Sequence, residues 1–270
     1  LLSSCRVLAT TPYEDLSLDA QMTDNTPPPR VEESASALAL QEWYNAHCET
    51  GGTYTLTEDI IINDRMVLYL PDAPITINTG SYHIYIMERA LFETAGSVSI
   101  IGDGGTDGLV NVAPNAVFSI SGITLTATNG TAIYYKPYTA KYSTYLGNTY
   151  VDAPTKITAS GANACAVRSD IVMAYPSKAA LSFMNCQIEV NGKNSTAVQA
   201  YHSIEMTHST VTASGDSAQS IITEAGTITL FSSTASPESN PSVTTKILWE
   251  ITELEKPEII IPPDTPFEDC

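Results

Sequence analysis

ITASGANACAV, residues 157–167, returns as IEVNGKNSTAV at 188–198 and as VTASGDSAQSI at 211–221, and ITLTATNGTAI at 123–133 aligns with all three without a gap. Every copy begins and ends with Ile or Val, and its penultimate residue is Ala or Ser. Gly161, Gly192 and Gly215 hold the fifth position of three copies, whereas the first copy carries Gly130 at its eighth. A second motif precedes the later copies: Leu181 leads to Ile188, Ile204 to Val211 and Ile228 to Ala235, each over the same seven-residue step. The repeats start 34, 31 and 23 residues apart, so a basic turn of about 22 to 23 residues carries insertions in its first two copies. A fixed core with variable insertions is the sequence signature of a solenoid.

A sandwich would pair strands through hairpins with their sequence neighbours. Here equivalent residues recur once per turn instead, as they do when coils stack in parallel. The repeated Ile and Val positions are expected to line the interior, one layer per coil about 4.8 Å apart. The stretches TYTLTEDIII, PITINTG, YHIYI, SVSII and VFSISGITLTA, from Thr53 onwards, read as further short strands separated by turns. The expected fold is all-β, a right-handed parallel β-helix with an N-terminal capping helix. That helix is SALALQEWYNAHCE, 36–49, in which Leu40, Trp43, Tyr44 and His47 share one face and Gly51-Gly52 supplies the stop. Open coil ends invite aggregation, so the helix is expected to cover the first coil and KILWEITELE, with Ile247, Trp249 and Ile251 alternating, the last.

Residues 1–34 are acidic and contain Pro27-Pro28-Pro29, which predicts a linker; 35–252 form the β-helix domain, with insertions at 134–156 and 168–180; 253–270 form an acidic, Pro-rich tail. Charged residues are only 16%, and the polar remainder is dominated by strand and turn formers. A net charge of −18 argues against nucleic acid and anionic membrane surfaces, which an acidic surface repels. No apolar run reaches the roughly 18 to 20 residues of a membrane span. Leu2-Ser3-Ser4-Cys5 matches a lipoprotein cleavage box without its preceding segments, which makes Cys5 a candidate lipid anchor. The five cysteines show no CxxC spacing, and Cys48, Cys165 and Cys186 read as small buried hydrophobes. Asn129-Gly130-Thr131 and Asn194-Ser195-Thr196 match glycosylation acceptors.

A helix ending in HCETGG, then TYTLTEDIII, then loosely repeating coils resembles the right-handed parallel β-helix proteins of the pectate-lyase-like class, over about residues 36–235. The likeness is greatest to β-helix modules of bacterial secreted and cell-surface proteins. It implies either an adhesin or carbohydrate-contacting module, a polysaccharide lyase or glycoside hydrolase, or a structural spacer. A lyase of this kind needs acids to hold calcium and a base to take a proton next to a uronate carboxyl. A hydrolase needs paired carboxylates. In the repeat region Asp152, Asp170, Glu189, Glu205, Asp216 and Glu224 neither cluster nor recur at one coil position.

The weak candidate for calcium is the glycine-rich loop carrying Asp103 and Asp107, which reads equally as a plain turn. Arg168 and Asp170 read as an ion pair before they read as catalytic partners, and His202 with His208 lack a third metal ligand. No catalytic residue and no cofactor is assigned.

YYKPYTAKYSTYLGNTY, 134–150, departs from this pattern, with six of the chain's fourteen tyrosines, two basic residues and no acid. It follows the first repeat and is expected to project from the coil. Tyrosine offers a broad apolar ring and a hydroxyl at low entropic cost, which suits sugar or protein contacts. Tyr134, Tyr135, Tyr138, Lys141, Tyr142, Tyr145 and Tyr150 are therefore the candidate binding residues, for a glycan or a surface protein. Lys136 and Lys156 add to the local positive charge, and the same tyrosines serve equally to pack the loop. The second insertion, with Tyr175, is expected to lie beside the first.

Overall fold

A computed structural model describes residues 34–148, 153–175, 177–237 and the backbone of 245–248. The chain is an all-β parallel β-helix preceded by one helix. Three parallel faces wind around a common apolar interior.

The first face runs unbroken from Gly52–Thr55 to Thr234–Ser236. Its inward column is Tyr54, Ile77, Ile100, Leu125, Ile157, Ile188, Val211 and Ala235, each in register with the next. The second face stacks Ile60, Ile84, Val110, Ile133, Val167, Val198 and Ile221 in the same way. All of these but the terminal Tyr54 and Ala235 are buried. Ile157, Ile188 and Val211 thus form the vertical column that the repeat requires, and Leu181, Ile204 and Ile228 form the matching column on the third face.

The first repeat is displaced at its start. Leu125, not Ile123, lies beside Ile157, whereas Ile133 pairs with Val167 as aligned. The corner of that copy is two residues shorter, and Ile123 is buried just ahead of the strand.

Turn chemistry explains the rest of the repeat. Asn163, Asn194 and Ser217, at its seventh position, all adopt positive φ, which short polar side chains tolerate by bonding locally. Two residues earlier the coils touch backbone to backbone. A Cβ on Gly192 would stand 1.8 Å from the Gly161 carbonyl oxygen, and one on Gly215 would stand 2.4 Å from that of Gly192.

The helix spans Ala35–His47, starting one residue before and ending two residues before the expected 36–49, and the Ser34 hydroxyl caps it by accepting from the Ala37 amide. Its buried stripe is Ala37, Leu40 and Tyr44. The Tyr44 hydroxyl donates to the Pro71 carbonyl, which ties the helix to the first coil. Trp43 and His47 stack at the rim, 4.3 Å apart, and Trp43 also meets Tyr54. At the other end Thr245–Leu248 adds a strand beside Ile228–Phe231. Trp249, Ile251, Cys5 and both tethers beyond Ser34 and Leu248 lie outside the described residues. Among the described residues no helix is long and apolar enough to cross a membrane.

Candidate functional site

The third face is broken. Val67–Leu70, Leu91–Ala95 and Val117–Ser121 form one parallel sheet, and Thr144–Gly147, Leu181–Met184, Ile204–Thr207, Ile228–Phe231 and Thr245–Leu248 form another. Val117–Ser121 and Thr144–Gly147 approach within 8 Å between Cα atoms but are not hydrogen-bonded neighbours.

The local chain path produces this seam. In the later coils residues 201–203 join the second face to the third, whereas 136–143 and 170–180 make the same passage in the two coils before them. Those longer passages pair with each other as a two-stranded ladder, Thr139–Ala140 beside Val172–Met173. The second insertion thus lies against the first, as expected.

The expectation that 134–156 projects from the coil is corrected in part. Thr144–Gly147 is a regular strand of the third face, and Tyr135, Ala140 and Leu146 face the core. What departs from the short corner of the later coils is the passage over 136–143, of which Ala140 still packs on the core; residues 149–152 lie outside the described ones.

A groove of about 610 Å³ opens along the seam. Val117, Phe118 and Ser119 line one side, and Tyr138, Lys141, Tyr142 and Tyr145 line the other. Tyr142 is 77% exposed and Tyr145 59%, so both present ring surface to solvent. Tyr138 instead packs half-buried against the core, and burial raises its pKa. Lys178 extends the basic character of the site: its Nζ lies 5.4 Å from the Tyr142 ring and 5.7 Å from the Tyr175 ring.

The other tyrosines are placed elsewhere. Tyr135 points into the core, where its hydroxyl has no hydrogen-bond partner and burial pushes its pKa far up. Its position in the column is held by Ile86 and Val112 in earlier coils. Tyr134 lies on the outside of the second face, donates to Asp170 Oδ2 at 2.7 Å and carries the Arg168 guanidinium over its ring at 4.9 Å. Arg168 also pairs with Asp170 at 3.1 Å, so these three side chains satisfy one another. Tyr150 lies outside the described residues.

Sequence reasoning missed Val117, Ser119 and Lys178, and placed Tyr175 beside the first insertion without counting it among the binding residues. Only the stacking of two insertions and the loss of a strand pairing bring them together.

Several of the other candidates are tied into turns or neighbouring side chains. Asp103 Oδ1 accepts from the Gly105 amide at 2.9 Å and the Asn129 amide group at 3.3 Å, bracing a turn, while the Asp107 carbonyl accepts from Asn111. Glu189 accepts from Gln187. His202 is buried with its Nδ1 unpartnered, and His208 sits at a positive-φ corner against Phe231. Among the described residues no three His, Cys, Asp or Glu side chains converge to hold a metal. Cys48, Cys165 and Cys186 are buried, and burial pushes the thiol pKa of Cys165 and Cys186 up to about 12.

In comparisons with known proteins, no family model, no curated protein and no solved structure matches this chain.

Proposed function

We propose that this chain is a binding or adhesion module of a secreted or cell-surface protein, akin to the pectate-lyase-like β-helix modules, and that the seam of its third face contacts glycan. One observation carries the reading. Tyr142 and Tyr145 stand 77% and 59% exposed over the groove, although burial of those rings elsewhere on the molecule would be favourable.

An exposed tyrosine ring stacks on the apolar face of a sugar and offers a hydroxyl to its polar edge. A peptide adding itself as a strand fits less well. Insertion between the two seam strands requires about 9.6 Å, twice the interstrand spacing, and the strands approach within 8 Å.

Replacing Tyr142 and Tyr145 together by Ala tests the reading. Tyr138 is left in place because it packs on the core. On a glycan array the wild-type chain is expected to be retained and the double variant lost, with an unchanged melting curve. A lowered melting temperature with retention intact would make these side chains structural and the module a spacer. Release of unsaturated uronides from a polysaccharide would move the reading to a lyase.

A further inference from the structure

The seam holds a positive centre that its glycan-binding role alone does not require. The ladder of Thr139–Ala140 beside Val172–Met173 continues through the Ala174 amide, which donates to the Ala140 carbonyl. Tyr142 and Tyr175 therefore follow the ladder at equivalent positions in adjacent coils. A turn closed by the Lys178 amide on the Tyr175 carbonyl returns the chain, and Lys178 Nζ comes within cation–π distance of both rings. The ion pairs among the described residues are Arg89 with Asp64 and Arg168 with Asp170, so neither Lys178 nor Lys141 pairs with a carboxylate among those residues. Two ammonium groups beside exposed rings, with no ion-pair partner among the described residues, are unexpected on a chain of net charge −18.

Building on the glycan reading, we infer that the Tyr142–Lys178–Tyr175 cluster, with Lys141, is a subsite for an acidic sugar, whose carboxylate or sulfate oxygens accept from Lys178 Nζ while a ring supports the sugar face. The surrounding negative field repels densely charged polymers. The fitting ligand is consequently a chain whose anionic groups are spaced among neutral sugars.

Affinity electrophoresis of the intact chain in gels containing dextran, carboxymethyl-dextran or dextran sulfate tests this on one backbone. Retardation by carboxymethyl-dextran is expected to exceed that by dextran by about tenfold in apparent affinity and to weaken with added salt. Lys178→Met is expected to remove that preference, whereas Lys193→Met, on an exposed turn, leaves it intact. A greater response to densely charged dextran sulfate than to carboxymethyl-dextran overturns the inference that the anionic groups are spaced among neutral sugars. Equal retardation by dextran and carboxymethyl-dextran, an unaltered preference in Lys178→Met, or no retardation by any of the three overturns the acidic subsite. If neutral sugars on the array are still lost only in the Tyr142/Tyr145 double variant, the glycan reading survives that failure; if no glycan is retained, both fall.

Discussion

The first and third faces of this β-helix are built from the same kind of strand, yet one is continuous over every described coil and the other stops and restarts. On the first face each inward residue meets an apolar partner above and below, from Ile77 through Val211. On the third face Phe118 has Phe92 on one side, 5.3 Å between ring centroids, but Leu146 across the seam is not its ladder partner. The difference teaches that a solenoid can give up one ladder junction while the other two faces hold the coils in register. The surface released by that break is where solvent-facing aromatic rings gather with Lys141 and Lys178.

The largest effect is expected from breaking the continuous face. Ile188 is fully buried between Ile157 and Val211, so Ile188→Ala removes buried methyl groups and leaves a cavity that two rigid neighbouring coils cannot fill. A loss of about 2–5 kcal/mol is expected from thermal or denaturant unfolding. Gly192→Ala comes next. Its Cβ would meet the Gly161 carbonyl at 1.8 Å, and relief requires two coils to separate locally at a cost of about 1–3 kcal/mol. A variant with wild-type stability would show that the close backbone stack does not constrain the coil.

The contrast between faces also marks what the sequence discloses. Ile157, Ile188 and Val211 are legible because their coils share a turn: Gly at the fifth position, a positive-φ Asn or Ser at the seventh, and a constant step to the next face. The coils from Gly52 to Ser121 stack just as regularly, Tyr54 to Ile77 to Ile100, but their corners are turned by Arg65, Arg89 and Asn115 in positive φ, and no shared motif reveals their period. Tyrosine content suggested that 134–156 lay outside the coil. The inward set Tyr135, Ala140 and Leu146 has neither the period of a strand nor the spacing of the repeat, so its place in the core became visible only through strand pairing. The groove was illegible for a further reason: half of it belongs to Val117–Ser119, which nothing in the sequence links to the tyrosines.

A smaller effect is expected inside the seam coil. Tyr135→Phe removes a buried hydroxyl that has no partner and keeps the ring, so stability should rise by up to about 1 kcal/mol. The pH dependence sharpens the test. Burial raises the Tyr135 pKa in the folded chain, and such a group gives stability that is complete below the unfolded value, near 10, and is lost as pH rises beyond it. Cys165 and Cys186, pushed up to about 12, act with the same sign from about pH 8.5, the ordinary thiol value. Wild-type stability should therefore decline from about pH 8.5 upward, and Tyr135→Phe should flatten the part of that decline above about pH 10.

The smallest effect is expected where the third face is open. Tyr145 is 59% exposed, and its neighbour in the ladder is Ser182, so Tyr145→Ala removes little buried area. A change within about 0.5 kcal/mol is expected from the same unfolding experiment. The order of the series, Ile188→Ala far above Tyr145→Ala, is what separates a face that holds the coils together from one that is free to bind. If Tyr145→Ala instead cost as much as a core truncation, the ring would be bridging the two third-face sheets, and the seam would be a closed joint rather than an available surface.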